Sequence, residues 1–221
     1  MVFLLDNDDI GFPDPKLGDP DGLFAVGGQI SKPWLLLAYS YGIFPWFAHK
    51  VDEPHWYCPM DRFVIFPSEI HVSHSLRTLI NKKLYRVSFN RDFEGVIRGC
   101  ATVEGRDADL HAWLGEDMIR AYSELHTEGY AMSVEVWDAD DRLVGGLYGI
   151  TLGGCFMGES MFSLVPNASK LALVALAHSM VATGVSGFID CQFETPHLKS
   201  MGGRHIPYDE YIRILHARGR Q

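Results

Sequence analysis

Positive charge, paired cysteines and long apolar runs are all scarce in this chain, and each shortage removes a class of protein. Its four cysteines (Cys58, Cys100, Cys155, Cys191) are scattered and form no Cys-x-x-Cys pair. Reduced, partly buried thiols are therefore expected rather than a disulfide framework. Among ten histidines only His71 and His74 lie close together, in loop-like sequence that reads as surface or capping rather than metal-binding. No stretch approaches the roughly 18 apolar residues of a membrane span. The opening Met1-Val2-Phe3-Leu4-Leu5 runs at once into Asp6-Asn7-Asp8-Asp9, which is no secretory leader. A cytoplasmic protein without membrane attachment is expected. Internal repeats and low-complexity segments are also missing.

Lys and Arg number 19 against 28 Asp and Glu, a net charge of −9. Such a balance argues against indiscriminate nucleic-acid binding but leaves room for a local basic patch. One candidate lies between residues 75 and 100, where Arg77, Lys82, Lys83, Arg86, Arg91 and Arg98 face only Asp92 and Glu94. A second group, Arg213, Arg218 and Arg220, lies near the C-terminus. Each is either a solvated helix face or a strip that contacts phosphates. Hydrophobic residues make up 47% of the 221 positions. A chain of this size buries roughly 70% of its unfolded surface, so it needs no covalent or metal staple.

Periodicity divides the chain near residue 62. Residues 1–61 are acidic and rich in Pro and Gly, and read as a small accessory domain; residues 62–221 carry regular elements and read as the main domain. Residues 11–30 look irregular, and Ser31 with Pro33 opens a short helix that Gly42 ends. Beyond the boundary, Ser73 or Ser75 caps a helix to Lys83, residues 85–89 alternate like a strand, and Asp92 caps a helix to Ala101. Met118, Ala121, Tyr122 and Leu125 recur at helical spacing until Gly129. Residues 130–137, 143–151 and 155–158 form an antiparallel meander turning at Asp140-Asp141 and Gly153-Gly154. Asn167 or Ser169 then caps a helix to Thr183 that is apolar nearly all round, as expected of one buried against a sheet. Residues 187–192 read as a buried strand. This order of elements is α+β.

Two segments place polar groups where apolar ones would pack. In Phe156-Met157-Gly158-Glu159-Ser160-Met161-Phe162-Ser163, a carboxylate sits among apolar neighbours at a strand end and needs a partner. In Phe188-Ile189-Asp190-Cys191-Gln192, strand periodicity puts Asp190 and Gln192 on one face, with Ile189 and Cys191 on the other. Two readings stay open: a structural hydrogen-bonded pair that anchors the strand, or a carboxylate and an amide carbonyl presented together to an amine-bearing substrate. The buried helix begins with Val165-Pro166-Asn167-Ala168 rather than with a glycine-rich loop that would hold a pyrophosphate, which disfavours an acyl-coenzyme A donor. A thiol hydrolase built on Cys191 and His197 is weaker, because Cys191 should face away from Asp190. A non-catalytic adaptor for basic N-termini, using Asp190 and Glu159, is a third alternative.

The ordered blocks resemble the leucyl/phenylalanyl-tRNA–protein transferase family along nearly the whole chain. They include Ala38-Tyr39 through Gly42-Ile43-Phe44-Pro45-Trp46-Phe47, Ala112-Trp113 with Ala121-Tyr122, and Ser133-Val134-Glu135-Val136-Trp137. They continue with Leu143-Val144-Gly145-Gly146-Leu147-Tyr148-Gly149, Gly158-Glu159-Ser160-Met161-Phe162-Ser163, Asn167-Ala168-Ser169-Lys170, Ile189-Asp190-Cys191-Gln192, and His197-Leu198 with Ser200-Met201-Gly202. The resemblance implies an acetyltransferase-like (GNAT-like) catalytic domain behind the accessory domain. It implies transfer of Leu or Phe, less readily Met, from aminoacyl-tRNA to proteins that begin with Lys or Arg, marking them for degradation. It further implies that Asp190 and Gln192 form the reaction centre with Glu159 close by. Trp46, Trp113 and Tyr122 would surround the terminal adenosine, and Leu147, Phe156, Leu176 and Ile189 would line the aminoacyl pocket. Lys82, Lys83 and Arg86 are the candidate phosphate contacts. An aminoacyl ester is already activated, so no cofactor or metal is expected, and the protein is expected to act as a monomer. The chain departs from the family pattern at Tyr57, Cys58 and Asp61 and again at Tyr208, where tRNA-facing contacts are expected to change.

Overall fold

The computed structural model describes residues 1–19, 22–46, 53–102 and 115–217. The chain is α+β, with a four-stranded and a seven-stranded sheet and seven α-helices among the described residues.

The opening stretch is more regular than its prolines and glycines suggest. β1 (Phe3–Leu5) lies parallel to β2 (Leu23–Gly27); β2 pairs antiparallel with β4 (His55–Tyr57), and β4 with β3 (Phe44–Pro45). β2 thus corrects the expectation of irregular structure over residues 11–30. Its Phe24 and Ala25 are buried, and tertiary burial outweighs weak strand propensity. Trp34, on α1 (Lys32–Ser40), stacks on Trp56 of β4 with ring centroids 6.1 Å apart, and Phe12 meets both rings edge-on.

The larger sheet runs in the order β11 (Arg204–Pro207), β5 (Asp61–Ile65), β10 (Ile189–Asp190), β9 (Cys155–Ser163), β8 (Leu143–Leu152), β7 (Ala131–Trp137), β6 (Arg86–Phe89). Neighbours are antiparallel except β9 and β10, which are parallel and joined through α5 (Ala168–Ala182). One face packs on α5, where Leu171, Leu173 and Leu176 meet Val134, Val136, Leu147 and Phe156. The other packs on α3 (Phe93–Thr102) and α4 (Glu116–Thr127), where Val96, Ile97, Tyr122 and Leu125 meet Tyr148 and Ile150. Alternation along β8 supplies both cores: Leu147 points one way, Tyr148 the other. Burying each such leucine is worth roughly 1.5–3 kcal/mol. α2 (His74–Asn81) starts at Ser73, whose hydroxyl accepts from the Leu76 N–H, and the Asp92 carboxylate accepts from the Gly95 N–H at 2.9 Å.

Three local departures from the expected pattern shape the region where β9 and β10 part. α5 is not capped by the side chain of Asn167, which sits at φ 69°; instead the Ser163 hydroxyl accepts from the Ser169 N–H at 2.8 Å. β9 runs on to Ser163, and its register skips Glu159: Gly149 faces Gly158 while Tyr148 faces Ser160. Glu159 is therefore a β-bulge, and a bulge re-aims its side chain. Finally, only Ile189 and Asp190 of the predicted 187–192 strand pair with β9, because Gln192 turns out of the sheet at φ 57°.

Candidate active site

Asp190, at the end of β10, is fully buried beside Arg62 of β5, whose side chain is also sealed from solvent. The Arg62 Nε lies 2.9 and 3.1 Å from the two carboxylate oxygens, and a terminal guanidinium nitrogen lies 2.8 Å from Oδ2. The other terminal nitrogen donates to the Gly42 carbonyl at 2.8 Å. Gly42 has φ 71°, and a Cβ there would stand 2.7 Å from the Tyr211 ring. Tyr211, on α7 (Tyr208–Leu215), donates its hydroxyl to Asp190 Oδ2, and the Gln192 N–H donates to Oδ1, each at 2.9 Å. Burying two charges is costly unless geometry and further hydrogen bonds compensate; here both carboxylate oxygens carry several partners. Burial alone would pull the Arg62 pKa down, but Asp190 outweighs it and holds the guanidinium firmly charged. Burial, then the Asp190 charge, pushes the Tyr211 phenol well above its ordinary range.

Where β10 stops and β9 continues, the two parallel strands leave a cavity of about 260 Å³. Its apolar part is lined by Leu147, Phe156, Met161, Leu173, Ile189 and Leu198; its polar part by Glu159, Ser160, Asp190, Cys191, Gln192, Thr195 and His197, with Gly158 between. The Gln192 amide nitrogen donates to the Gly158 carbonyl at 2.8 Å, which fixes the amide plane and leaves its carbonyl oxygen as an acceptor. Glu159 Oε2 accepts from the Tyr122 hydroxyl at 2.9 Å, and the Tyr39 hydroxyl lies 2.5 Å from that of Tyr122. The second Glu159 oxygen, Oε1, is buried with no hydrogen-bond partner. Burial raises the Glu159 carboxyl to about 7, with Asp190 adding and the tyrosine hydroxyls and Arg62 opposing. Cys191 is pushed far above the thiol range by burial, then by Asp190, which makes it a poor nucleophile.

The chain has counterparts among known sequences. The family model described as leucyl/phenylalanyl-tRNA protein transferase matches residues 64–216, and the model for that family's N-terminal domain matches residues 28–60. A leucyl/phenylalanyl-tRNA–protein transferase of Thermodesulfovibrio yellowstonii is 45% identical over 215 residues, covering 97% of this chain and 86% of the relative. That of Syntrophus aciditrophicus is 49% identical over 207 residues, covering 93% and 84%. That of Chromohalobacter salexigens is 50% identical over 209 residues, covering 93% and 79%. The chain belongs to the leucyl/phenylalanyl-tRNA–protein transferase family. It is an aminoacyltransferase.

The structure places the expected site residues of this transferase unevenly. Leu147, Phe156 and Ile189 line the cavity, with Glu159 and Gln192 at its polar end. Leu176 is buried in the core and does not line it; Leu173, one turn earlier on α5, takes the wall position. Strand periodicity predicted Asp190 and Gln192 presented side by side. Both residues line the cavity, but Gln192 turns out of the strand and the Asp190 carboxylate accepts from Arg62, Tyr211 and the Gln192 N–H. Tyr122 is fully buried; it offers a hydroxyl to Glu159 rather than a ring face to an adenosine. Trp46 is half-buried and packs on Tyr57 and on Phe193, next to Gln192, with centroids 5.2 and 4.8 Å away. Trp113 lies outside the described residues. Lys82 and Lys83 are exposed. Arg86, by contrast, pairs with Asp141 and lies over the Trp137 ring, which Arg91 also covers. No helix among the described residues is long and apolar enough to cross a membrane.

Sequence reasoning missed Arg62, Tyr211, Tyr39, Met161, Leu173, Phe193 and the cavity position of His197. Arg62 alone left a signal, as a cation opening the otherwise apolar Phe63-Val64-Ile65. Three of the four positions expected to depart from the family pattern have local partners. Tyr208 donates to the Tyr41 carbonyl at 2.9 Å, Cys58 is buried against the same carbonyl, and Asp61 lies 3.1 Å from His205.

Proposed function

We propose that this chain transfers Leu or Phe, and less readily Met, from aminoacyl-tRNA to the α-amine of proteins beginning with Lys or Arg, marking them for degradation in the cytoplasm. The observation that carries the reading is the two-part cavity: an apolar end suited to a leucyl or phenylalanyl side chain, and a polar end with a free carboxamide oxygen and an unpartnered carboxylate oxygen. The single parallel pair β9 and β10, joined by α5 within an otherwise antiparallel sheet, supports an acetyltransferase-like domain over residues 62–221, with residues 1–61 as accessory domain.

In the reaction, the acceptor's amine nitrogen bonds to the ester carbonyl carbon and the bond to the tRNA 3′ oxygen breaks. One amine proton passes to that oxygen and, when the acceptor begins as an ammonium, another leaves to solvent. Gln192 Oε1 accepts an N–H of the attacking amine and fixes its direction. Positioning of this kind can supply several kcal/mol. Asp190 acts as a positioning residue: its hold on the Gln192 N–H, backed by Arg62, fixes the left-handed turn that aims the carboxamide. Glu159 Oε1 receives the acceptor's basic head, whose charge would draw the carboxyl back to its ionised form. Trp46 stacks on the terminal adenosine, with Trp113 as its partner; such stacking is worth roughly 1–3 kcal/mol and is indifferent to tRNA identity. Lys82, Lys83 and Arg86 meet acceptor-stem phosphates, Arg86 only after leaving Asp141. The ester is already activated, so no cofactor or metal takes part, and the protein acts as a monomer.

The test is transfer of radiolabelled Leu, Phe and Met from charged tRNA to peptides beginning with Arg, Lys or Glu. Transfer confined to the basic peptides is expected. Equal transfer to the Glu peptide would sink the Glu159 assignment, and no transfer at all would sink the whole reading.

A further inference from the structure

Two of the side chains that line the cavity, Glu159 and His197, each bury one polar atom without a hydrogen-bond partner. His197, on α6 (Pro196–Ser200), lines the wall with Thr195 and Leu198, and its Nε2 is buried with no hydrogen-bond partner. A buried imidazole nitrogen without a partner costs free energy, on the order of 1–3 kcal/mol. Burial and the charge of Lys170 on α5 both push the His197 pKa below its ordinary value. The ring is therefore neutral at physiological pH and, with its proton on Nδ1, offers Nε2 as an acceptor.

The donor has a group to match. In an aminoacyl ester the α-carbon carries three substituents: the side chain, the carbonyl and a free amine. With the side chain in the apolar end and the carbonyl at Gln192, the amine must meet the wall between them. Thr195, His197 and Leu198 form part of the wall. The two orphan atoms also differ in chemistry. Glu159 is a carboxylate suited to a cationic head, whereas His197 is a neutral acceptor beside Lys170, a place that disfavours a full positive charge. We propose that His197 Nε2 accepts a hydrogen bond from the α-amine of the aminoacyl group on tRNA, making His197 a specificity-determining residue for donors with a free amine. The proposal rests on the transferase reading above.

The experiment compares two donors with wild-type enzyme, His197→Ala and His197→Gln, each checked for normal thermal unfolding. The donors are Phe-tRNA and tRNA carrying 3-phenylpropionate, which is phenylalanine with its amine replaced by hydrogen. For Phe-tRNA, His197→Ala should lower kcat/KM by about tenfold or more, mostly through KM for the donor. For the phenylpropionyl donor it should change little, so the preference for a free amine collapses. His197→Gln places a carboxamide oxygen near the Nε2 position and should restore part of the preference. An unaltered preference in His197→Ala overturns the proposal, as does an effect confined to KM for the acceptor peptide. If His197→Ala does not fold, a folded His197→Gln whose preference is no more than that expected without an acceptor overturns it as well. Failure of the parent reading looks different, because the wild-type enzyme would then transfer from neither donor.

Discussion

Arg62 and Asp190 are 128 residues apart in sequence and meet through three hydrogen-bond contacts in the core beside the cavity. Truncating one partner leaves the other buried and uncompensated. Arg62→Met should therefore cost about 3–5 kcal/mol in urea unfolding. Adding Asp190→Asn should recover part of that loss, since the second change removes the stranded charge. A double variant less stable than Arg62→Met would show that the pair is not the coupled unit described here.

Asp190→Ala should abolish Leu transfer to an Arg-starting peptide, because the Gln192 turn loses the acceptor for its N–H. The same variant should bind charged tRNA with little change, since the carboxylate is fully buried and already held by Arg62, Tyr211 and the Gln192 N–H. Activity close to wild type in a folded Asp190→Ala protein rejects the positioning role.

Glu159 sets a pH dependence whose sign follows from its carboxyl being raised from 4.5 to about 7. Below about pH 4.5 the group is protonated in folded and unfolded chains alike, and its contribution is fully present. As pH climbs toward 7 the unfolded chain ionises first, so stability falls, and the loss is complete above the folded value. The loss is at most about 3 kcal/mol, less because the residue is partly accessible. Urea midpoints at pH 5 and pH 8 should converge in Glu159→Gln relative to wild type; equal pH slopes in both proteins would contradict the raised value.

Leu173→Trp should fill the apolar end of the cavity. Transfer of Phe should fall more than a hundredfold and that of Leu less, given that pocket discrimination runs at roughly 1–3 kcal/mol per methylene. Leu176→Ile, at a core position that does not line the cavity, should leave the Leu-to-Phe ratio near its wild-type value. A ratio that moves with Leu176 and not with Leu173 places the pocket elsewhere.

Lys82→Glu with Lys83→Glu should raise the KM for tRNA and flatten its salt dependence by about one unit of slope per lost phosphate contact. The acceptor-peptide KM should not change. An unchanged salt slope would move the tRNA site away from the turn between α2 and β6.

Local chemistry wrote much of the fold into the sequence. Alternation in residues 130–137 gave β7, the all-round apolar run gave α5, and Ser73 and Asp92 marked helix starts, because side-chain period and capping depend only on near neighbours. Residues of the blocks Gly158–Ser163 and Ile189–Gln192 do line one cavity, though their arrangement there was not legible. Tertiary structure alone decided that Asp190 pairs with Arg62, that a bulge turns Glu159 toward Tyr122, and that Leu173 rather than Leu176 faces the cavity. The physical reason is range. Period and capping are read over a few residues, whereas a buried charge takes whichever partner the strand order β5, β10, β9 brings beside it.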